Sequence, residues 1–235
     1  VKTNDVLVTA FPKSGITFFG FLLCAARLHH NGIKMVPTMY NIDTLLIDLH
    51  KMGNLDHSMI WNDGLGNLVK SHEPRTLPWP NVIYVLRNPV DTLRSYCDFQ
   101  RKLGVHFVLE AEIEAWNKHV SSWLLDNNLA SQSICVVQYE DLLRAPAAEL
   151  ETVSMQLGIG FSSATLQHGV TWSDVNVMRN SEQLFAARNP VYSKFDLNFV
   201  RKTNARQVNE FTDEMAARVV QQTQAVYDRV RGSLA

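Results

Sequence analysis

Val6-Leu7-Val8-Thr9-Ala10-Phe11-Pro12-Lys13-Ser14-Gly15-Ile16-Thr17-Phe18 is the stretch on which the reading of this chain turns. Val6 to Ala10 is a short apolar run rich in β-branched side chains, the pattern of a buried strand. From Phe18 to Leu28 the chain is apolar with almost no breakers and reads as a helix. Strand, tight polar turn and helix in immediate succession form a phosphate-binding layout. The N–H groups of the turn and the helix N-terminus point at one spot and favour an anion there. Lys13 adds a mobile charge, Ser14 and Thr17 add hydroxyl donors, and Gly15 lets a ligand come close to the backbone.

The 235 residues suffice for one substantial core, and the expectation is a single domain over residues 1–235. Charged residues make up 19% and the formal net charge is −1, so no global basic surface invites nucleic acid or an anionic membrane. No apolar run approaches the length of a membrane span, and the N-terminus lacks a signal-peptide pattern, although a short leader could precede the first strand. Cys24, Cys97 and Cys135 are odd in number and share no C-x-x-C spacing; they read as free thiols, and a reducing cytoplasm is the simplest compartment.

Further along, Asn31-Gly32 stops the first helix. Ile42 to Leu49 reads as a short helix, Lys51 to Asn67 as loop, and Leu68-Val69-Lys70-Ser71-His72 as a strand ending in polar residues. Val82 to Leu86 is the clearest strand; it runs into Arg87-Asn88-Pro89, with Asn88 placed to cap a helix that starts at Pro89 and reaches about Lys102. Ile113, Trp116, Val120 and Trp123 recur at helical spacing within Glu110 to Leu125. Ile134 to Val137 is a fourth strand, opening into Gln138-Tyr139-Glu140-Asp141. Helices are expected over Ala148–Leu157 and after Ser162, a long aperiodic loop from Met178 to Lys202, and an amphipathic helix over Phe211–Arg231. Helices alternating with apolar strands predict an α/β fold: a central parallel sheet with helices on both faces.

Ligands of open parallel sheets bind beyond the carboxyl ends of the strands. Lys13-Ser14 follows the first predicted strand, Lys70-Ser71-His72 the second, Arg87 the third and Tyr139 the fourth. Arg87 with Ser95, on a helix face shared with Asn88, Asp91 and Thr92, forms a second anion-binding cluster. Arg201-Lys202 is a further basic pair. A metal-dependent kinase loop has the form G-x-x-x-x-G-K-[ST], and the leading glycine pair is missing here. Such an enzyme also needs a strand-end carboxylate for its metal, whereas the strongest strand ends in a cation. Metal-free transfer of an anionic group fits better, with Lys and Arg neutralising the charge.

These motifs resemble those of the cytosolic-type sulfotransferases, which use 3′-phosphoadenosine 5′-phosphosulfate (PAPS) as donor. Phe11 to Phe18 is similar to the family's Y-P-K-S-G-T-T-W loop, and Tyr84 to Asp91, with Ser95, Tyr96 and Phe99, to its Y-x-x-R-N-P-x-D motif and downstream Ser. Lys70-Ser71-His72 resembles K-T-H, Tyr139-Glu140-Asp141 resembles Y-E-D, and Arg201-Lys202 with Asn209 to Thr212 resembles the two ends of R-K-G…N-x-F-T. The matches keep the family's order from Val6 to Thr212.

The resemblance implies the P-loop nucleoside-triphosphate-hydrolase-like sulfotransferase fold and sulfuryl transfer from PAPS to a hydroxyl of a small-molecule acceptor, leaving adenosine 3′,5′-bisphosphate (PAP), without a metal. Lys13, Ser14, Gly15, Ile16, Thr17 and Phe18 would hold the 5′ end, with Phe18 stacking on adenine. Arg87, Ser95, Arg201 and Lys202 would hold the 3′-phosphate, with Tyr139 and Trp172 beside the nucleoside. His72 would be the general base, since an imidazole's ordinary pKa of about 6.5 suits that task; Lys70 and Lys13 would neutralise charge on the transferring group. Ile16 stands where the family has Thr, Thr203 where it has Gly, and the family's C-terminal dimerisation pattern is not legible, leaving monomer or homodimer open. The chain is short for an animal member, which suits a bacterial or divergent one. Tyr40, Trp61, His106, Phe107, Phe195 and Phe199 could line an acceptor pocket or pack locally, and an aromatic lining would favour a phenol or alcohol over a sugar. The competing readings are a metal-dependent small-molecule kinase and a non-catalytic nucleotide-binding protein.

Overall fold

The computed structural model describes residues 3–49, 61–126, 133–189 and 210–234. Five strands, β1 (Val6–Thr9), β2 (Leu46–Asp48), β3 (Leu68–Ser71), β4 (Asn81–Leu86) and β5 (Ser133–Gln138), form one sheet in the order β2-β3-β1-β4-β5, with every neighbouring pair parallel. Parallel strands cannot be joined by hairpins, so helices cross over both faces and the strands are apolar on both sides. In β4 the alternation is visible residue by residue: Ile83 and Val85 belong to one core, Val82, Tyr84 and Leu86 to the other.

One face carries α1 (Ile16–His30), α2 (Ile42–Leu45), α5 (Tyr139–Arg144), α6 (Pro146–Gln156), α7 (Ser163–Trp172) and α8 (Val175–Ala186). The other carries α3 (Pro89–Lys102), α4 (Leu109–Leu124) and the last helix, α9 (Asp213–Gly232). Helix α1 is buried on nearly every side, from Phe19 through Leu28, because α7 covers the flank the sheet leaves open. Gly169 of α7 makes that approach possible: a Cβ there would lie 2.9 Å from the Leu22 carbonyl oxygen and 3.2 Å from Ala26 Cβ. Each large apolar side chain of α1 so enclosed is worth about 1.5–3 kcal/mol.

The expected α/β architecture is present, with three differences. Ile42–Leu49 is not one helix: it gives α2 for a single turn and then β2. Leu46 and Ile47 are buried on the pleat of an edge strand, which a short apolar run cannot distinguish from a helical turn. The Met178–Lys202 stretch is not aperiodic throughout, because α8 runs to Ala186. Asp174 caps it, its carboxylate accepting from the Asn176 amide at 2.8 Å. The last helix begins at Asp213 rather than Phe211, with Thr212 as its cap accepting from the Met215 amide.

Candidate active site

β1 is the centre of the sheet, and the chain winds from it to β3 on one side and β4 on the other. The crevice beyond its carboxyl end is therefore the switch point where open sheets bind ligands. There the chain turns tightly: the Ser14 amide donates to the Phe11 carbonyl at 3.2 Å, Lys13 has φ 70° and Gly15 φ 99°. Lys13 is the described non-glycine residue in this left-handed region, a conformation that costs about 1–3 kcal/mol and persists where surroundings impose it. Alternating backbone handedness turns successive N–H groups to one side, and no side chain among the described residues caps the start of α1. Gly15 is required twice over, by its φ and because an added Cβ would stand 2.3 Å from the Tyr139 ring. The Ile16 side chain is part of the core at 4% exposure, so what Ile16 offers the turn is its backbone. Ser14 is buried, while Thr17 and Phe18 are half-buried at the head of α1.

Arg87 leaves the end of β4 and reaches across to this turn, its Nη1 donating to the Lys13 carbonyl at 3.0 Å. Its guanidinium lies 4.7 Å from the centre of the Tyr139 ring, the same ring that covers Gly15. Burial pushes the Tyr139 phenol above its ordinary pKa, against the opposing pull of Arg87. Arg87 Nε is buried with no hydrogen-bond partner among the described residues. A buried guanidinium donor without an acceptor, beside a turn whose backbone N–H groups converge, is a donor that an anionic ligand would satisfy. Next along, Asn88 caps α3 by accepting from the Val90 amide at 2.9 Å, and its own amide donates to Glu140 at 3.0 Å. Ser95 lies on α3, largely buried. The Lys13 ammonium rests over Phe99 of the same helix, 4.7 Å from the ring centre.

His72, just past β3, is tied to the same turn: its Nδ1 lies 2.7 Å from the Ala10 carbonyl oxygen. A carbonyl can only accept, so Nδ1 carries the proton and the basic lone pair of the neutral ring is on Nε2. Behind it stands a group that the motifs do not include. His119 of α4 is 2% exposed and its Nδ1 is 2.9 Å from the Tyr84 hydroxyl on β4. Burial first, and the neighbouring His72 second, pull its pKa down to about 3. His119 falls on the same helical face as Ile113, Trp116, Val120 and Trp123, and a histidine inside an apolar stripe is the signal that would have exposed it. Lys70 is ion-paired to Asp48 at 2.9 Å.

The remaining expected residues divide. His29 meets Thr165 and His168 while Gly169 meets Leu22, so α7 runs back along α1 and its end, half-buried Trp172, is carried toward the first turns of α1. The Trp172 ring is tilted against His168. Trp61 packs over the Arg27 guanidinium, Phe107 against Phe211, and Tyr40 against Phe185; His106 is exposed. Arg201, Lys202, Phe195 and Phe199 lie outside the described residues. A groove of about 500 Å³ between α4 and α9 contains none of the residues above.

An open parallel sheet with this turn after its central strand, and a cationic cluster at the switch point, defines a nucleotide-binding α/β protein of P-loop type. The chain belongs to the sulfotransferase domain family, whose model matches residues 3–233. It is 24% identical over 203 residues to the 3-alpha-hydroxysteroid sulfotransferase of Cavia porcellus, an alignment covering 77% of this chain and 68% of the relative. To Sulfotransferase 1 family member D1 of Mus musculus it is 25% identical over 210 residues, with the same coverage. Among solved structures it is similar to retinol dehydratase in complex with androsterone and the inactive cofactor PAP (TM-score 0.62, 17% identity, 96% of this chain and 81% of the other). It is similar also to mouse sulfotransferase SULT7A1 complexed with PAP (TM-score 0.60, 14% identity, 100% and 89%). At those identities the structural likeness is one of fold.

Proposed function

We propose that this protein transfers a sulfuryl group from PAPS to a hydroxyl of a small organic acceptor. The observation that carries the reading is Arg87, bonded to the Lys13 carbonyl with a buried Nε left over. It joins the turn after β1 and the end of β4 into one site with two anion-binding ends, which suits a nucleotide phosphorylated at both the 3′ and 5′ positions. In this reading Lys13, Ser14, Gly15, Ile16, Thr17 and Phe18 hold the 5′ end, Arg87 and Ser95 the 3′-phosphate, and Tyr139 and Trp172 flank the nucleoside. Arg201 and Lys202 complete the 3′ site.

PAPS supplies an activated sulfuryl group, and the bond to its bridging oxygen breaks so that the 5′-phosphate of PAP leaves as a stable dianion. The protein's own part is positioning and charge. His72 accepts the acceptor's proton at Nε2, with Nδ1 anchored on Ala10. Lys70 and Lys13 offset the negative charge on the transferring group and on the departing oxygen; positioning and electrostatics of this kind dominate loose, in-line group transfer. No residue in the scheme calls for a metal. A single domain in a reducing, cytoplasmic setting goes with this reading, where the buried thiols of Cys24, Cys97 and Cys135 stay free.

Calorimetry with PAP, ADP and Mg-ATP tests it. PAP is expected to bind at least about tenfold tighter than either competitor, because only PAP fills the Arg87 end. Tighter binding of Mg-ATP would move the protein to the kinases.

A further inference from the structure

Beside Lys70 stands a carboxylate that takes no part in the scheme above. Asp48 ends the edge strand β2 and is the register partner of Lys70 on β3, which in turn pairs with Val8 on β1. Residues in one such row project from the same face of a sheet. Val8 lies in the core beneath α1, so Asp48 and Lys70 both sit on the α1 face, the side on which the phosphate loop runs into its helix. The ion pair is short, Nζ to Oδ2 2.9 Å, and enclosed, with side-chain exposures of 15% for Lys70 and 8% for Asp48. Asp43 of α2 is a more distant neighbour of the same ammonium, at 4.0 Å and half open to solvent.

Stability does not account for this pair. An enclosed ion pair roughly breaks even against apolar side chains of similar volume, and the rest of the row is apolar. Its effect is on position. Lysine carries its charge on a four-carbon stem, and that charge is useful to a reacting group only if it waits in one place. A carboxylate fixed on the adjacent strand sets that place from one side.

We propose that Asp48 is a positioning residue for sulfuryl transfer, acting through Lys70 by holding its ammonium at the exit of β3. The proposal rests on the reading that Lys70 meets the sulfuryl group, and the test separates the two. PAPS and PAP differ by that group alone, so the affinities of the full chain for each are compared by calorimetry. Asp48→Asn keeps the shape and removes the charge; it is expected to weaken PAPS about tenfold and PAP by less than about twofold. Asp48→Glu keeps the charge and should recover most of the loss, and it also serves as the measured variant if the Asn form does not fold. In a Lys70→Met background, Asp48→Asn should cost nothing further.

Equal losses for PAPS and PAP, no loss, or tighter PAPS binding in Asp48→Asn would each overturn the proposal. So would a further tenfold loss on top of Lys70→Met. A wild-type chain that binds neither ligand would instead overturn the underlying reading, and this inference with it.

Discussion

At His72 the deciding contact is the hydrogen bond to the Ala10 carbonyl, 2.7 Å long and spanning 62 positions of sequence. It fixes the tautomer and ties the proposed base to the backbone that enters the phosphate turn. Replacing His72 with Ala should lower turnover by about 10²–10⁴-fold, the usual worth of a general base, while PAP affinity stays within a few-fold. A variant that keeps full turnover would show that the proton leaves by another route. Gly15 gives the opposite pattern. Its φ of 99° and the 2.3 Å approach of Tyr139 mean that Gly15→Ala must displace either the turn or the ring that supports Arg87. We expect a loss of about 2 kcal/mol or more in denaturant unfolding, together with loss of PAP binding. If the variant binds PAP normally, the turn is not where the 5′ end sits.

Among the elements, β3 owes its place to a contact far from the chemistry. Arg27, inside α1 and fully buried, grips Asp63 with Nε and Nη2 at 2.7 and 2.9 Å and donates to the Leu65 carbonyl at 3.1 Å. Burial pushes the Asp63 carboxyl up, but hydrogen bonds from Arg27 and Asn31 outweigh it and hold the carboxyl below its ordinary range. The segment so fastened leads directly into β3 and on to Lys70 and His72. Asp63→Ala leaves a guanidinium enclosed and unpaired, and should destabilise the fold by about 3–5 kcal/mol in urea titration. A loss under about 1 kcal/mol would mean water reaches Arg27. Sequence alone did not reveal this fastening. Residues 61–67 have the composition of loop, Trp61 looked like a candidate pocket residue, and nothing local says that a helix arginine 36 positions earlier closes on Asp63. The strand–turn–helix around Lys13 and the Asn88-Pro89 helix start were legible for the converse reason: cap, turn and apolar period all lie within a few residues of one another.

For the molecule as a whole, the doubly wound sheet places two cores back to back, and the second of them encloses His119. In the unfolded chain His119 titrates near the ordinary value of about 6.5; folded, it is pulled down to about 3. The unfolded state therefore takes the proton first. The stabilisation is complete above about pH 6.5 and drains as pH falls toward 3, at up to about 1.4 kcal/mol per pH unit. Urea midpoints at about pH 7 and about pH 5 should show this slope, and His119→Asn should flatten it. A slope unchanged in that variant would assign acid sensitivity to other groups.

By itself the sequence determined the parallel α/β arrangement, the turn after the central strand, and the cations at the carboxyl ends of β1, β3 and β4. Those features are written in short-range periods, breakers and strand-end residues, and each strand carries its share of the site with it. The tertiary structure decided the rest. β2 became a strand because Leu46 and Ile47 found β3. Arg87 joined two anion sites by reaching the Lys13 carbonyl 74 positions back. Asp48 came to Lys70, and His119 to Tyr84, through sheet register and helix packing. Such pairings arise only when distant segments are brought together, and no local pattern encodes which partner a side chain will meet.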